Sequence, residues 1–198
     1  MTEPAISAGV PELDAALRAR LDALYEEGRR ISGRFARSAN ERGWHPFIAA
    51  DYGKVESVLL PLRRPGLRFL EWGSATGVIT IMADLLGFEA YGIELDAELL
   101  ALARALAREF DSGARFAAGS FLPAGYEWAS ETGDRRLGTI GEGVPGYDEL
   151  QHPLEDFDLV YGYPWGGEEP VMRDVMLRRG APGARLLLHG ARTIAVAD

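Results

Sequence analysis

Glu71, Gly73, Gly77 and Glu94 are the residues of this 198-residue chain whose types and spacing most suit ligand chemistry. They fall within RFLEWGSATGVITIMADLLGFEAYGIELD, Arg68 to Asp96. Glycine at 73 and 77 removes Cβ atoms where the chain must turn sharply and lets a ligand approach the backbone. A helix starting near Gly77 aims unpaired N–H groups at the same space. Glu94, at the carboxyl end of the following strand, stands where a carboxylate accepts both hydroxyls of a ribose. The combination points to an adenosine-like ligand.

The elements that must position these residues can be read from apolar spacing. Leu67, Phe69, Leu70 and Trp72 form a buried strand that runs into the glycine turn. Val78, Ile79, Ile81, Met82, Leu85 and Leu86 recur at helical spacing, and Gly87 ends that helix. Glu89 to Ile93 is a second strand, closed by Glu94. Strand, turn, helix and strand make a right-handed βαβ unit. A dinucleotide fingerprint would need glycine at the first, third and sixth positions, which here are Gly73, Ala75 and Val78, so the spacing argues against a nicotinamide-dependent oxidoreductase.

EWGSATG resembles the first motif of the class I S-adenosylmethionine (SAM)-dependent methyltransferases, (D/E)xGxGxG. Glu71, Gly73 and Gly77 match it, and Ala75 departs from it. The resemblance extends over roughly Leu67 to Gly190. It implies SAM as cofactor, with Glu71 near the methionine amino group, Gly73, Ser74, Ala75 and Gly77 lining it, and Glu94 with its neighbour Leu95 at the ribose. The methyl group of Ala75 predicts a shifted or slightly weakened site. Where the family places an acid against the adenine amino group this chain has Ser120, an uncharged acceptor, followed by Phe121, a candidate to pack on the adenine face.

The acceptor end is expected in FDLVYGYPWGGEE, Phe157 to Glu169. Phe157, Leu159 and Val160 form a buried strand that ends at the same crevice as Gly73. Methyl transfer requires a positioned nucleophile, exclusion of water and, for an ammonium or hydroxyl acceptor, removal of a proton. Tyr163 and Trp165, with Pro164 between them, supply an aromatic wall that attracts cations. Tyr161, Tyr163 and Glu168 are the candidates for orienting or deprotonating a substrate, although Glu168 equally suits the amino end of the next helix. YPW is similar to the second half of the (D/N)PP(Y/F) motif of amino-group methyltransferases, but Gly162 replaces its polar residue and Tyr163 its first proline. His152 is a further possible base or a simple turn residue.

The remaining segments frame this unit. Pro11 to Ser38 is one amphipathic helix with Leu13, Leu17, Leu21, Leu24, Ile31 and Phe35 on a stripe, interruptible at Gly28 and Gly33, that covers the sheet or makes a homodimer contact. Asp51 caps a short helix carrying Val55, Val58 and Leu59 inward, and Asp51 and Tyr52 are candidates for a lid over the cofactor. Asp96 caps a helix with Leu99, Leu102, Leu106 and Phe110 on one face, and Ala114 to Ala118 is a third strand. Pro123 to Asp156 is irregular, with one weak helix expected near Tyr126 to Ser130, and part of it is expected to shape the substrate pocket. A helix from Glu168 to Arg179, a strand from Arg185 to His189 and one short strand at Thr193 to Ala197 complete the chain.

Composition narrows the function. The net charge is −9, with 30 acidic against 21 basic residues, which disfavours a nucleic-acid grip. Lys54 is the single lysine and cysteine is absent, so there is no disulfide, thiolate metal site or thiol nucleophile. No apolar run is long enough to cross a bilayer and no signal peptide is evident, which predicts a cytoplasmic protein. The expectation is a single domain over 1–198. It should be an open, mostly parallel α/β sheet of Rossmann-like type in the order 3-2-1-4-5, with a truncated C-terminal edge that could itself pair with a second copy. The expected function is SAM-dependent methylation of a protein side-chain nitrogen or a small molecule, without a metal. A SAM-binding protein lacking turnover is the first alternative.

Overall fold

The computed structural model describes residues 13–41, 49–127, 143–164, 167–190 and 194–197. At its centre lies β1 (Arg68–Trp72), whose Phe69, Leu70 and Trp72 are fully buried on the two faces of the sheet. Such a nearly unbroken apolar run suits a parallel strand covered by helices on both sides. β1 pairs in parallel with β2 (Glu89–Glu94) and β4 (Leu159–Gly162). β3 (Arg115–Ala118) extends the sheet beyond β2, and β5 (Arg185–His189) extends it beyond β4. The expected order 3-2-1-4-5 is therefore present. The short segment expected at the end of the chain forms β6 (Ile194–Ala197), antiparallel to β5, giving β3-β2-β1-β4-β5-β6.

Two apolar layers sandwich this sheet. On one face, α1 (Ala15–Glu41), α2 (Tyr52–Leu59), α3 (Val78–Leu85) and α4 (Ala97–Glu109) close over Phe69, Ala90, Phe116, Leu159, Tyr161 and Leu187. On the other, α5 (Tyr147–Leu150) and α6 (Glu169–Arg179) cover Leu70, Trp72, Ile93, Val160, Leu186 and Leu188. Asp96 caps α4, accepting from the N–H groups of Glu98 and Leu99, and Asp51 caps α2, accepting from Lys54. The weak helix expected near Tyr126 is absent over the described part, where Tyr126 lies outside any helix; 128–142 fall outside the described residues. Among the described residues the α-helical piece of this connection is α5, because Tyr147 and Leu150 have an apolar face to bury against the sheet.

α1 runs through Gly28 and Gly33 without a break, three residues beyond the expected end. Its stripe is used inside the chain: Leu17, Leu21, Leu24, Ile31 and Phe35 are buried, and only Leu13 stays exposed. Two devices fix its position. The Glu56 carboxylate on α2 accepts both guanidinium nitrogens of Arg18 and the hydroxyl of Tyr25, the latter at 2.9 Å. Burial and this bond push the Tyr25 phenol up, while Arg18 holds the Glu56 carboxyl down, so Glu56 stays ionised and ties the helices together. The second device is steric. A Cβ on Gly28 would lie 2.5 Å from Val78 Cγ2 and 3.2 Å from the Tyr52 hydroxyl, so the missing side chain lets α1 sit on the start of α3 and on α2.

Among the described residues, only the tip of Arg37 lies within 4 Å of a Cβ placed on Gly33. The two glycines should therefore respond with opposite signs to the same substitution. Gly33→Ala should stabilise the protein by about 0.5–1 kcal/mol through helix propensity. Gly28→Ala should destabilise it by about 1–3 kcal/mol through overpacking. Urea unfolding of both variants measures the difference.

Candidate functional site

The site is built on the turn between β1 and α3. Three alternate residues are left-handed: Gly73 (φ 69°), Ala75 (φ 48°) and Gly77 (φ 78°). That zigzag folds the chain tightly, with Gly77 N–H donating to Ser74 O at 2.7 Å and Ser74 N–H to Ile93 O at 2.9 Å. Gly77 is also a matter of space, since a Cβ there would lie 2.8 Å from Ala103 Cβ and from the Phe116 ring. Gly92 on β2 makes room in turn for Ser74, whose Oγ is buried without a hydrogen-bond partner among the described residues. Ala75 adopts the conformation that glycine takes at its two neighbours, and a Cβ in that region costs roughly 1–2 kcal/mol.

Two buried carboxylates hold this turn from either side. Glu94 accepts the Ala75 N–H at 2.6 Å on one oxygen and the Asp96 N–H at 2.8 Å on the other, which ties the end of β2 to the middle of the loop. Glu71 accepts the N–H and hydroxyl of Thr80 at 3.0 and 2.5 Å on a single oxygen, and so satisfies an unpaired donor in the first turn of α3. Glu71 is 4% exposed and Glu94 8%. Burial raises both carboxyls above their ordinary value, with each Thr80 bond opposing it at Glu71, which reaches about 8. The negative charge of Glu94 adds to the rise at Glu71, so both carboxylates belong to one electrostatic site. Two adjoining carboxylic groups at the carboxyl end of a parallel sheet favour a ligand that brings positive charge and hydroxyl donors.

Toward β4 and β5 the structure collects further polar groups. Glu71 and Tyr161 are register partners on adjacent strands, facing α1 and α2. Tyr161 is 1% exposed, its phenol raised first by burial and then by Glu71, and its hydroxyl hydrogen-bonds His189 Nδ1 at 2.8 Å. The Tyr163 ring lies on the His189 ring, centroids 4.3 Å apart. Glu168 is fully buried at the start of α6, where its carbonyl accepts from Met172. Trp165 lies outside the described residues. His152 is drawn into another setting, between Asp156 (2.9 Å) and the Tyr91 hydroxyl (3.2 Å). No local spacing signals His189, because the rings around it, Tyr161 and Tyr163, come from the end of β4 and the residue just after it.

At the β3 end, Leu95 keeps a 39% exposed side chain. Ser120 and Phe121 are turned inward. Ser120 Oγ accepts the Leu122 N–H at 3.1 Å, and Phe121 stacks on Trp72 with centroids 4.7 Å apart. The backbone of Ser120 is engaged by the returning segment 143–146, donating to Val144 O and accepting from Gly146 N–H, both at 2.9 Å. Gly119 has no room for a Cβ beneath Val144 O, and a Cβ on Gly143 would lie 2.8 Å from Leu95 Cδ1. Tyr147 anchors this segment by donating to Phe121 O (2.6 Å) and accepting from Trp72 Nε1 (3.1 Å). The chain that returns from the long connection thus borders the Leu95 and Ser120 end of the crevice.

The loop geometry has measurable consequences. Ala75→Gly should raise stability by about 1 kcal/mol, as relief of the left-handed strain outweighs the added freedom of the unfolded chain, and thermal unfolding reads it. A carboxyl whose folded pKa stands above its unfolded value binds more protons in the native state between the two, so stability falls as pH rises from about 4.5 toward about 8. Glu71→Gln keeps an acceptor for Thr80 and should flatten that slope by up to about 1.4 kcal/mol per pH unit in urea titrations across the window.

No protein-family model matches the chain, and no curated protein matches it in sequence. Solved structures do match in three dimensions. An RNA methyltransferase from Salinibacter ruber, solved with S-adenosyl-L-homocysteine, has a TM-score of 0.51 at 18% identity, over 71% of this chain and 76% of that one. A precorrin-6y C5,15-methyltransferase from Geobacter metallireducens (TM-score 0.46, 18% identity) is matched over 67% of this chain and 60% of that one. A glycopeptide N-methyltransferase complexed with SAM (TM-score 0.46, 16% identity) is matched over 73% and 57%. Identity this low speaks to architecture, and with its 3-2-1-4-5 parallel sheet and its glycine turn after β1 the chain has the Rossmann-like fold of the class I SAM-dependent methyltransferases.

Proposed function

We propose that this protein binds SAM along the Gly73 to Gly77 turn and transfers its methyl group to a small molecule or a protein side-chain nitrogen. The observation that carries the reading is the pair of buried carboxylates, Glu71 and Glu94, on either side of one left-handed turn. Burial leaves both short of solvation, so an ammonium or sulfonium compensates Glu71 and ribose hydroxyls compensate Glu94. Gly73, Ser74, Ala75 and Gly77 form the floor, and Leu95 offers an apolar face toward the base. Ser120 and Phe121, both turned inward, act there through backbone position rather than through exposed side chains.

Bound in this way, SAM supplies an electrophilic methyl group to a nucleophile held at the β4 and β5 end. The chain's own contribution there is to exclude water and orient the acceptor through Tyr161, Tyr163 and Glu168, with Asp51 and Tyr52, at the start of α2, as the lid residues. A net charge of −9 favours these acceptors over a nucleic acid.

Isothermal titration of the protein with SAM, S-adenosylhomocysteine and NAD tests the proposal. SAM and its demethylated product should bind, and NAD should not. Glu94→Ala should weaken SAM binding about 100-fold, or roughly 2.7 kcal/mol, with circular dichroism confirming that the variant is folded. Absence of heat with both SAM and its product, or a preference for NAD, would reject the reading.

A further inference from the structure

Trp72, Gly162 and Leu188 are aligned by strand register across β1, β4 and β5. The residues that follow them, Gly73, Tyr163 and His189, therefore form one row along the carboxyl edge of the sheet. With strands about 4.8 Å apart, the backbone of His189 stands about 10 Å from that of Gly73. In an otherwise apolar layer, His189 gathers the polar groups of this half. Tyr161 bonds its Nδ1 from within β4, and Tyr163 stacks on its ring. Asp51 and Lys54 act on it from the start of α2, where they form an ion pair at 3.1 Å. Glu71 lies behind Tyr161 on β1. The other described histidine, His152, is held elsewhere, between Asp156 and Tyr91.

We infer that His189 is the base of the acceptor half-site, held by Tyr161 and taking the proton from a protic acceptor, a hydroxyl or a neutral primary or secondary amine, as that acceptor is methylated. The inference rests on the proposed use of SAM. The ring is suited to the task in two ways. Burial, with Lys54 adding to it and Asp51 opposing, keeps the imidazole below its ordinary value of 6.5, so it is neutral near pH 7. With the hydrogen on Nδ1 donated to the Tyr161 oxygen, Nε2 keeps its lone pair for the acceptor. The step balances. The acceptor's lone pair forms the new bond to the methyl carbon, the pair of the broken carbon–sulfur bond stays on sulfur, and the acceptor's proton passes to Nε2. The positive charge thereby moves from the donor to the imidazolium. A tertiary amine or a carbon acceptor without a labile proton would have no use for this group.

Nuclear magnetic resonance titration tests the inference without knowledge of the acceptor. The chain has three histidines, and His189→Asn assigns the resonance. SAM and S-adenosylhomocysteine differ at sulfur by one positive charge, so saturating the protein with each in turn reports whether His189 faces the methyl group. The pKa of His189 should be lower with SAM than with its product by about half a unit or more. In the SAM complex, nitrogen-15 shifts should place the hydrogen of neutral His189 on Nδ1. If both compounds bind and His189 titrates alike with each, or carries its hydrogen on Nε2, the base assignment fails and the cofactor reading stands. If neither compound binds, the cofactor reading fails, and the inference that depends on it fails with it.

Discussion

The Ala75 N–H to Glu94 hydrogen bond is the contact on which the site depends. It joins the middle of the β1–α3 turn to the end of β2, and it does so inside the protein, where a carboxylate has few other partners. A turn with three left-handed residues is costly for any chain, and for the alanine among them in particular. The conformation persists because its surroundings determine it from several directions. Glu94 holds its middle and Glu71 the first turn of α3 that follows it, Gly77 touches α4 and β3, and Gly92 receives Ser74. Strain kept in place by packing of this kind is a common property of ligand-binding turns.

The helices on the α1 face extend that constraint to the other half of the molecule. Gly28 brings α1 against Val78 at the start of α3 and against Tyr52, so the same close approach that seats the N-terminal helix also encloses the turn. The Arg18–Glu56–Tyr25 cluster locks α1 to α2, and α2 in turn carries Asp51 and Lys54 toward His189. Glu71, Tyr161 and His189 sit beneath this cover on three neighbouring strands, β1, β4 and β5. Polar groups in such a layer are expensive unless they pair, and each of the three has a partner: Thr80, His189 and Tyr161 respectively. The cover separates this set from water, which sharpens the electrostatic influence of each member on the next.

Local patterns carried much of this into view. The glycines at 73 and 77, the acids at 71 and 94, the caps at Asp51 and Asp96 and the stripe on α1 are all short-range patterns in the sequence; the caps act locally, while Glu94 and the α1 stripe reach across the fold. Phe121 shows the limit of such patterns. Its sequence position follows β3 into the crevice, yet Gly119, at φ 139°, reverses the chain and delivers its ring onto Trp72. Among the described residues the long connection is α-helical at α5 and not at Tyr126, because Tyr147 finds its two buried partners, Trp72 and Phe121, only in the folded sheet.

Sequence alone determined the βαβ unit and the turn at its heart, since apolar period and glycine placement are properties of neighbouring residues, whereas the strand order was implied only by the family resemblance. Only the tertiary structure decided that Ala75 would be left-handed, that His189 would meet Tyr161 and Tyr163, and that 143–146 would bond Ser120. Each of these depends on residues distant in the chain, brought together by strand register or by the return of a long connection. No local pattern encodes such a meeting, because its energy comes from burial and hydrogen bonding that exist only once the sheet has closed.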